Sequence, residues 1–377
     1  MIKIAGITAE YNPFHEGHAY HIRKTREAAG EDAVIACVMS GDFVQRGEWA
    51  VFPKKERAAA AVRGGADLVF ELPLPWCISS AERFAGGAVQ LLSGIGASRI
   101  SFGSETGDID ALAAIAARAA SPNFAAELAE CRKAHPERTD AQCRAGLLGL
   151  GESFGPNDTL GIEYLKAMQG SGIEPIAVQR VGNGHDQTGE KGFPSASELR
   201  RRIRAGELDG NAVNEEKLEL ALISRLRMLS KESFSAAPDC GGGLGNRICD
   251  AVREEMTLNG IYALAKTKRY SLSAVRRAVL CAALGIRQED VSGSPPYARL
   301  LAASAEGCRA LAELRGKTKI PIVGRTRDLN GLGERAKRIF TLGSSAHDLY
   351  LLGLPGASKR CGEDGRSTPY IFPERDL

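Results

Sequence analysis

Apolar positions fall in short blocks along the first two hundred residues. Ile2-Lys3-Ile4-Ala5-Gly6-Ile7, Ala33-Val34-Ile35-Ala36-Cys37-Val38-Met39 and Ala66-Asp67-Leu68-Val69-Phe70-Glu71-Leu72 are mostly apolar runs of the kind buried on both faces of a parallel sheet. Mixed polar and apolar segments separate them and predict helices to about Ala29, over 53 to 64 behind Pro53, and from Ser80 to Leu92. Arg99 to Glu105 and Glu174 to Arg180 read as two further strands. Residues 109 to 151 read as alanine-rich helix broken at Pro122 and Pro136, and Pro156-Asn157-Asp158 opens a helix through Met168. Strand and helix in alternation predict a parallel sheet covered by helices on both faces. Beyond Gly206 the alternation stops, and the remainder reads as mainly helical, with a glycine-rich break from Asp239 to Gly245. The expected architecture is α/β, a Rossmann-like sheet domain over residues 1–206 followed by a mainly helical region over 207–377.

The joint between the first strand and first helix carries the clearest chemistry, since it ends in His15-Glu16-Gly17-His18. A helix amino terminus offers unpaired N–H groups and partial positive charge, a seat for phosphate. Two imidazoles beside it can donate hydrogen bonds and share positive charge with a phosphorus centre under attack. Gly17 removes a side chain where a nucleotide approaches, and Pro13 keeps Asn12 out of the helix. The spacing reads as a nucleotide α-phosphate site; taken alone, the same four residues are equally compatible with a plain helix cap. Ser40-Gly41-Asp42-Phe43 and Phe102-Gly103-Ser104-Glu105 end two other strands, on the side of the sheet where such folds bind ligands.

Composition narrows the class. A chain of 377 residues, 44% hydrophobic and 25% charged, has the balance of a soluble globular protein with two domains. No apolar run reaches membrane-spanning length and no basic, apolar leader precedes the first strand, so a cytoplasmic protein is expected. The nine cysteines are scattered without a Cys-x-x-Cys pair, which argues against a zinc ribbon or redox dithiol. The net charge of +3 is unevenly distributed: Lys266, Lys268, Arg269, Arg276 and Arg277 fall within twelve residues that hold no acid, bracket Tyr270, and suit a nucleic-acid backbone as well as a solvated face. Asn157 or Asp158 fits a helix cap as well as a ligand contact. Ser195 with Glu198 three residues on fits a capping box, and Ser195, Ser197 and Arg200 also suit phosphate. Gly316-Lys317-Thr318 lacks the glycine that a phosphate loop needs five positions earlier, and Gly331 to Ala336 follows no apolar strand.

Five motifs in order, Ile7-Thr8-Ala9-Glu10-Tyr11-Asn12-Pro13-Phe14-His15-Glu16-Gly17-His18-Ala19-Tyr20, Met39 to Glu48, Gly65 to Pro73, Ser80 to Val89 and Phe102 to Glu105, resemble the bacterial tRNA(Met) cytidine acetate ligase family. The resemblance continues more thinly through Pro156-Asn157-Asp158, Gln179 to Gly182, Ser195 to Arg200, Lys266 to Tyr270 and Asp348-Leu349-Tyr350. It implies a nucleotidyltransferase-like enzyme that forms acetyl-adenylate from ATP and acetate, then acetylates N4 of the wobble cytidine of elongator tRNA(Met). By matching position, Ile7 to Tyr20, Gly103, Asn157, Arg180 and Val181 would surround ATP, with His15 and His18 at its phosphates as the catalytic pair. Ser195, Ser197 and Arg200 would form a second phosphate motif. The resemblance further implies a magnesium ion held mainly by ATP oxygens, with no protein metal site, and a tRNA surface at Lys266, Lys268, Arg269, Arg276 and Arg277. The segment Ser195-Ala196-Ser197-Glu198-Leu199-Arg200 has serine and leucine where the family more often has threonine and isoleucine, and His347 stands where a small hydroxyl residue is expected. Two rivals stay open at this point: a nucleotidyltransferase acting on a small phosphate-bearing molecule, and a tRNA-binding protein with ATP as a structural ligand.

Overall fold

The computed structural model describes residues 2–151, 154–180, 194–208, 210–356 and 361–372. Its main sheet is built from β1 (Ile4–Ala9), β2 (Val34–Ser40), β5 (Leu68–Leu72), β6 (Arg99–Ser104), β7 (Glu174–Gln179), β8 (Ala298–Ala303), β9 (Ile322–Val323) and β10 (Tyr370–Ile371). The order across it is β10-β8-β5-β2-β1-β6-β7, with β9 also on β8. Every pairing is parallel except β5 with β8. A separate antiparallel hairpin joins β3 (Phe43–Val44) to β4 (Glu48–Trp49).

Side chains alternate across the sheet and so divide into two cores. Ala5, Ile7, Ile35, Cys37, Met39 and Val69 pack with Ile22 of α1 (Glu16–Ala29) and with Ala58 and Val62 of α2 (Lys54–Arg63). Ile4, Val34, Val38, Phe70, Ile100 and Phe102 face the other way. They meet Phe84, Ala88 and Leu92 of α4 (Ala81–Gly94) and Ile162 and Leu165 of α8 (Pro156–Met168), while short α3 (Leu74–Cys77) closes one end. The alanine-rich stretch forms α5 (Ile109–Ala119), α6 (Phe124–Ala134) and α7 (Asp140–Leu148). After α9 (Ala196–Arg204) come α10 (Glu215–Arg227), α11 (Lys231–Ala236), α12 (Leu244–Glu254), α13 (Leu258–Ala265) and α14 (Leu272–Leu284), then α15 (Ala305–Leu314), α16 (Glu334–Leu351) and α17 (Glu363–Arg366).

The carboxyl-terminal region is mainly helical, yet the sheet does not end near residue 206. β8 pairs antiparallel with β5, and β9 and β10 pair with β8. Alanine and leucine dominate Ala298 to Ala303, residues that favour helix locally, and the open edge of β5 turns them into strand.

A buried charge cluster fastens this late strand to the carboxyl ends of β2 and β5. Lys54 Nζ lies 2.6 Å from Asp364, 3.0 Å from Glu71 and 3.7 Å from Asp42. Arg299 Nη1 lies 3.1 Å from Glu71 and 2.7 Å from Asp364, and His347 Nδ1 is 2.7 Å from Asp42. Burial pushes the carboxyl of Asp42 up, but His347 and Lys54 outweigh it and hold Asp42 below the usual range. Burial pushes the His347 imidazole down, and the facing Asp42 carboxylate reverses that, so its net direction is up. The unexpected histidine of α16 therefore faces Asp42 just beyond β2, and that carboxylate favours its charged form.

Candidate active site

The bend after β1 is shaped by side chains on several later elements. Tyr11 takes a positive φ of 49° and its hydroxyl donates to Cys37 Sγ at 3.2 Å, while Asn12–Pro13 is cis. Arg57 of α2 is buried and donates to the carbonyls of Glu10 at 2.6 Å, Phe52 at 2.9 Å, Ser40 at 3.2 Å and Gly41. One guanidinium thus fixes the ends of both β1 and β2. Asn12 Oδ1 accepts from the N–H of Val51 at 2.9 Å, and its carbonyl accepts from Arg200 of α9 at 2.9 Å.

His15 is the N-cap of α1. Its Nδ1 accepts from the N–H of Gly17 at 3.1 Å, and the Nδ1 of His18 accepts from the N–H of His15 at 3.3 Å. The two imidazoles therefore occupy the places that a hydroxyl and a carboxylate take in an ordinary capping box. Because both Nδ1 atoms are acceptors, the proton of each neutral ring is assigned to Nε2. The rings lie 3.9 Å apart between centroids, and Tyr11 meets His18 edge-on at 4.9 Å. Burial, with the Arg180 guanidinium adding to it, lowers His15 to about 4. Burial and the neighbouring His15, His21 and Arg180 carry His18 well below the usual value. The expectation that the pair shares positive charge near neutrality is corrected for the free protein, where they are neutral N–H donors.

His21 extends this row and was not singled out by the sequence, although it stands three residues beyond His18. Its Nε2 lies 2.9 Å from Ser101 Oγ, which also takes a hydrogen bond from Thr25 at 2.7 Å. Burial lowers His21 to about 4. Ser101 therefore faces α1, and Gly103, two residues on along β6, faces the same side. A Cβ on Gly103 would meet only Arg180 Cγ, at 3.7 Å, so the sheet surface beside the histidines is open.

Asn157 and Asp158 are not caps of α8, whose N-cap is Gly155. Asp158 is buried and accepts from Ser104 Oγ, the N–H of Glu105 at 3.1 Å and the N–H of Thr106 at 3.2 Å, which fixes the turn after β6. Glu105 in return accepts from the N–H groups of Asn157 and Asp158 at 3.2 and 2.8 Å and from Asn157 Nδ2 at 2.5 Å. No local pattern of residues marks this reciprocal link, whose partners are 52 and 53 residues apart.

Arg180 follows β7, and its N–H donates to Ser104 at 2.9 Å; Val181 lies outside the described residues, as do residues 182–193. Ser195 caps α9 by accepting from Glu198 N–H at 3.1 Å, but Glu198 pairs with Arg201 instead of closing a capping box. Arg200 bridges Ser197 Oγ, at 3.0 Å, to the Asn12 carbonyl, so the amino end of α9 docks beside the histidine bend.

The five basic residues divide. Lys266, Lys268 and Arg269 are exposed, whereas Arg276 is ion-paired with Glu48 and Arg277 donates to the Gln45 carbonyl at 3.5 Å. The hairpin turn touches α14 closely: Gly47 has a φ of 74°, and a Cβ there would sit 2.5 Å from the Arg277 nitrogen.

A family model described as HIGH Nucleotidyl Transferase matches residues 2–364. A tRNA(Met) cytidine acetate ligase of Clostridium acetobutylicum is 33% identical over 369 residues, covering 87% of this chain and 92% of that protein. One from Syntrophotalea carbinolica is 32% identical over 365 residues, covering 85% of this chain and 84% of that protein. Among solved structures, Thermotoga maritima TmcAL bound with alpha-thio ATP is 28% identical and matches with a TM-score of 0.87, over 99% of this chain and all of that one.

Proposed function

This chain belongs to the HIGH nucleotidyl transferase family and to the tRNA(Met) cytidine acetate ligases, and we propose that it joins acetate to ATP and passes the acetyl group to N4 of the wobble cytidine of elongator tRNA(Met), in the cytoplasm. The observation that carries this reading is the reciprocal imidazole cap, which leaves two neutral Nε2–H donors at a helix amino terminus.

ATP enters over the open surface at Gly103, with the bend from Ile7 to Tyr20, Asn157 and Arg180 around it. Acetate oxygen attacks the α-phosphorus and pyrophosphate leaves. His15 and His18 donate to the phosphoryl oxygens as their charge grows, a contribution largest where water is excluded and the donors are already fixed. Ser195, Ser197 and Arg200 at the amino end of α9 hold the departing phosphates. Among the described residues no group of three or more His, Cys, Asp or Glu could hold a metal ion. Magnesium would accompany the nucleotide, held by phosphate oxygens and water. The tRNA backbone lies along the exposed cations Lys266, Lys268 and Arg269. No helix among the described residues is long and apolar enough to cross a membrane.

The test is incubation with radiolabelled acetate, ATP, magnesium and unmodified elongator tRNA(Met), followed by nucleoside analysis. Label in acetylated cytidine is expected. Folded protein that leaves the cytidine unlabelled overturns the reading.

A further inference from the structure

Acetyl transfer to an aromatic amine requires a group that accepts the amine proton, and the acidic and imidazole groups around the strand ends can be sorted by what already occupies them. His15 and His18 have Nδ1 engaged as an acceptor and the proton on Nε2, so they donate, and His21 Nε2 is engaged with Ser101. Both oxygens of Asp42 are taken, by the N–H of Lys54 and by His347. Both oxygens of Asp158 and of Glu105 hold the β6 turn to α8. Glu71 is held by Lys54 and Arg299, and Glu48 is paired with Arg276.

Glu10 differs from these in being both anchored and open on one side. It follows β1 directly, its carbonyl is pinned by Arg57, and its Oε1 accepts from the N–H of Gln45 at 2.7 Å. Oε2 takes no hydrogen bond from the described residues. Gln45 belongs to the hairpin turn whose other side rests on α14, through Arg277 on its carbonyl and the Gly47 contact with the helix backbone. Glu10 therefore stands where the nucleotide end of the sheet abuts the helix that follows the exposed cations. We propose that the open oxygen of Glu10 is the general base for the second half-reaction, taking the proton from N4 of the cytidine; this rests on the acetate ligase reading. The N4 lone pair forms the bond to the acetyl carbon, the bond from that carbon to the AMP oxygen breaks, AMP leaves with the electron pair, and the N4 proton passes to Glu10 and then to water. Burial pushes the Glu10 carboxyl above the ordinary range, against the Gln45 N–H and the charges of Arg46, Arg57 and Arg200, which makes it a stronger base than an exposed glutamate.

The experiment separates the half-reactions. Acetate-dependent exchange of pyrophosphate into ATP reports adenylate formation; single-turnover transfer from preformed acetyl-adenylate to saturating elongator tRNA(Met) reports the second step. In Glu10→Gln, transfer should fall at least about 100-fold further than exchange, the usual scale of a lost general base. Wild-type transfer should rise with pH through an inflection that Glu10→Asp displaces, a readout that stands even if the glutamine variant folds poorly. Equal loss in both half-reactions would limit Glu10 to the nucleotide contact it shares with the rest of the bend and overturn the proposal, as would undiminished transfer or a pH profile shared by wild type and Glu10→Asp. Absence of acetate-dependent exchange in the wild type would instead overturn the ligase reading itself.

Discussion

Replacing Lys54 by methionine tests whether the buried charge cluster holds the two halves of the chain together. The ammonium is fully buried and lies within 4 Å of three carboxylates, Asp42, Glu71 and Asp364. Its removal leaves those three facing only Arg299 and His347, so one negative charge is left unbalanced in a place water does not reach. Breaking a buried ion pair costs roughly 3–5 kcal/mol. Arg299 still serves Glu71 and Asp364, and His347 still serves Asp42, which places the expected loss near the lower end, about 3 kcal/mol. For a chain of 377 residues unfolding as one unit, an entropy of about 2.1 cal/mol/K per residue turns that into a fall in Tm of roughly 4 °C. Differential scanning calorimetry at neutral pH measures it directly. Lys54→Met in an Asp364→Asn background should lose clearly less than in the wild type, because one of the stranded carboxylates is gone. A fall below about 1 °C, or equal losses in the two backgrounds, refutes the reasoning.

The same cluster fixes a pH response. His347 is raised above its ordinary 6.5, so its contribution is fully present below that pH and is lost as pH rises through its folded value. Asp42 is lowered from 3.8, so its contribution is present above that pH and is lost only as pH falls through its folded value. Wild-type Tm should therefore decline on the alkaline side of 6.5 more steeply than that of His347→Gln; parallel curves contradict the assignment. His18→Ala should lower acetate-dependent pyrophosphate exchange about 100- to 1000-fold while costing roughly 1 kcal/mol in stability for the lost cap, and unchanged exchange removes the histidine from the chemistry. Changing Lys266, Lys268 and Arg269 together to alanine should weaken tRNA binding and flatten its log–log salt dependence by about 2 to 3, with ATP binding intact. An unaltered salt slope means that the tRNA backbone lies elsewhere.

What the sequence reveals depends on how local each feature is. β1, β2 and β5 read directly because an apolar block between polar segments is visible without knowing its neighbours. The histidine bend reads for the same reason, since His15 and His18 cap one another within a single turn. β8 does not: Ala298 to Ala303 is strand because it borders β5, a relation no window of its own residues contains. Arg57 escapes notice in an alanine-rich helix, although its bonds to Glu10, Ser40 and Gly41 shape the site. Asp158 looks like a cap because it lies in the first turn of α8, yet its carboxylate turns to the loop after β6. A run of five cations gives no direction to its members, and only the fold shows that Arg276 reaches Glu48 while Lys266 and Lys268 remain in solvent.

The antiparallel pairing of β8 with β5 also sets an order of events during synthesis. Roughly 225 residues separate Leu72 from Ala298, so at about 5–20 residues per second the outer edge of β5 waits some ten to forty-five seconds for its partner. Through that interval its hydrogen-bonding groups, and the carboxylate of Glu71 that Arg299 will meet, face whatever else is present in the cell. The nascent amino-terminal half thus carries an unpaired strand edge through that interval, and the strand that covers it is made only after the helices α10 to α14.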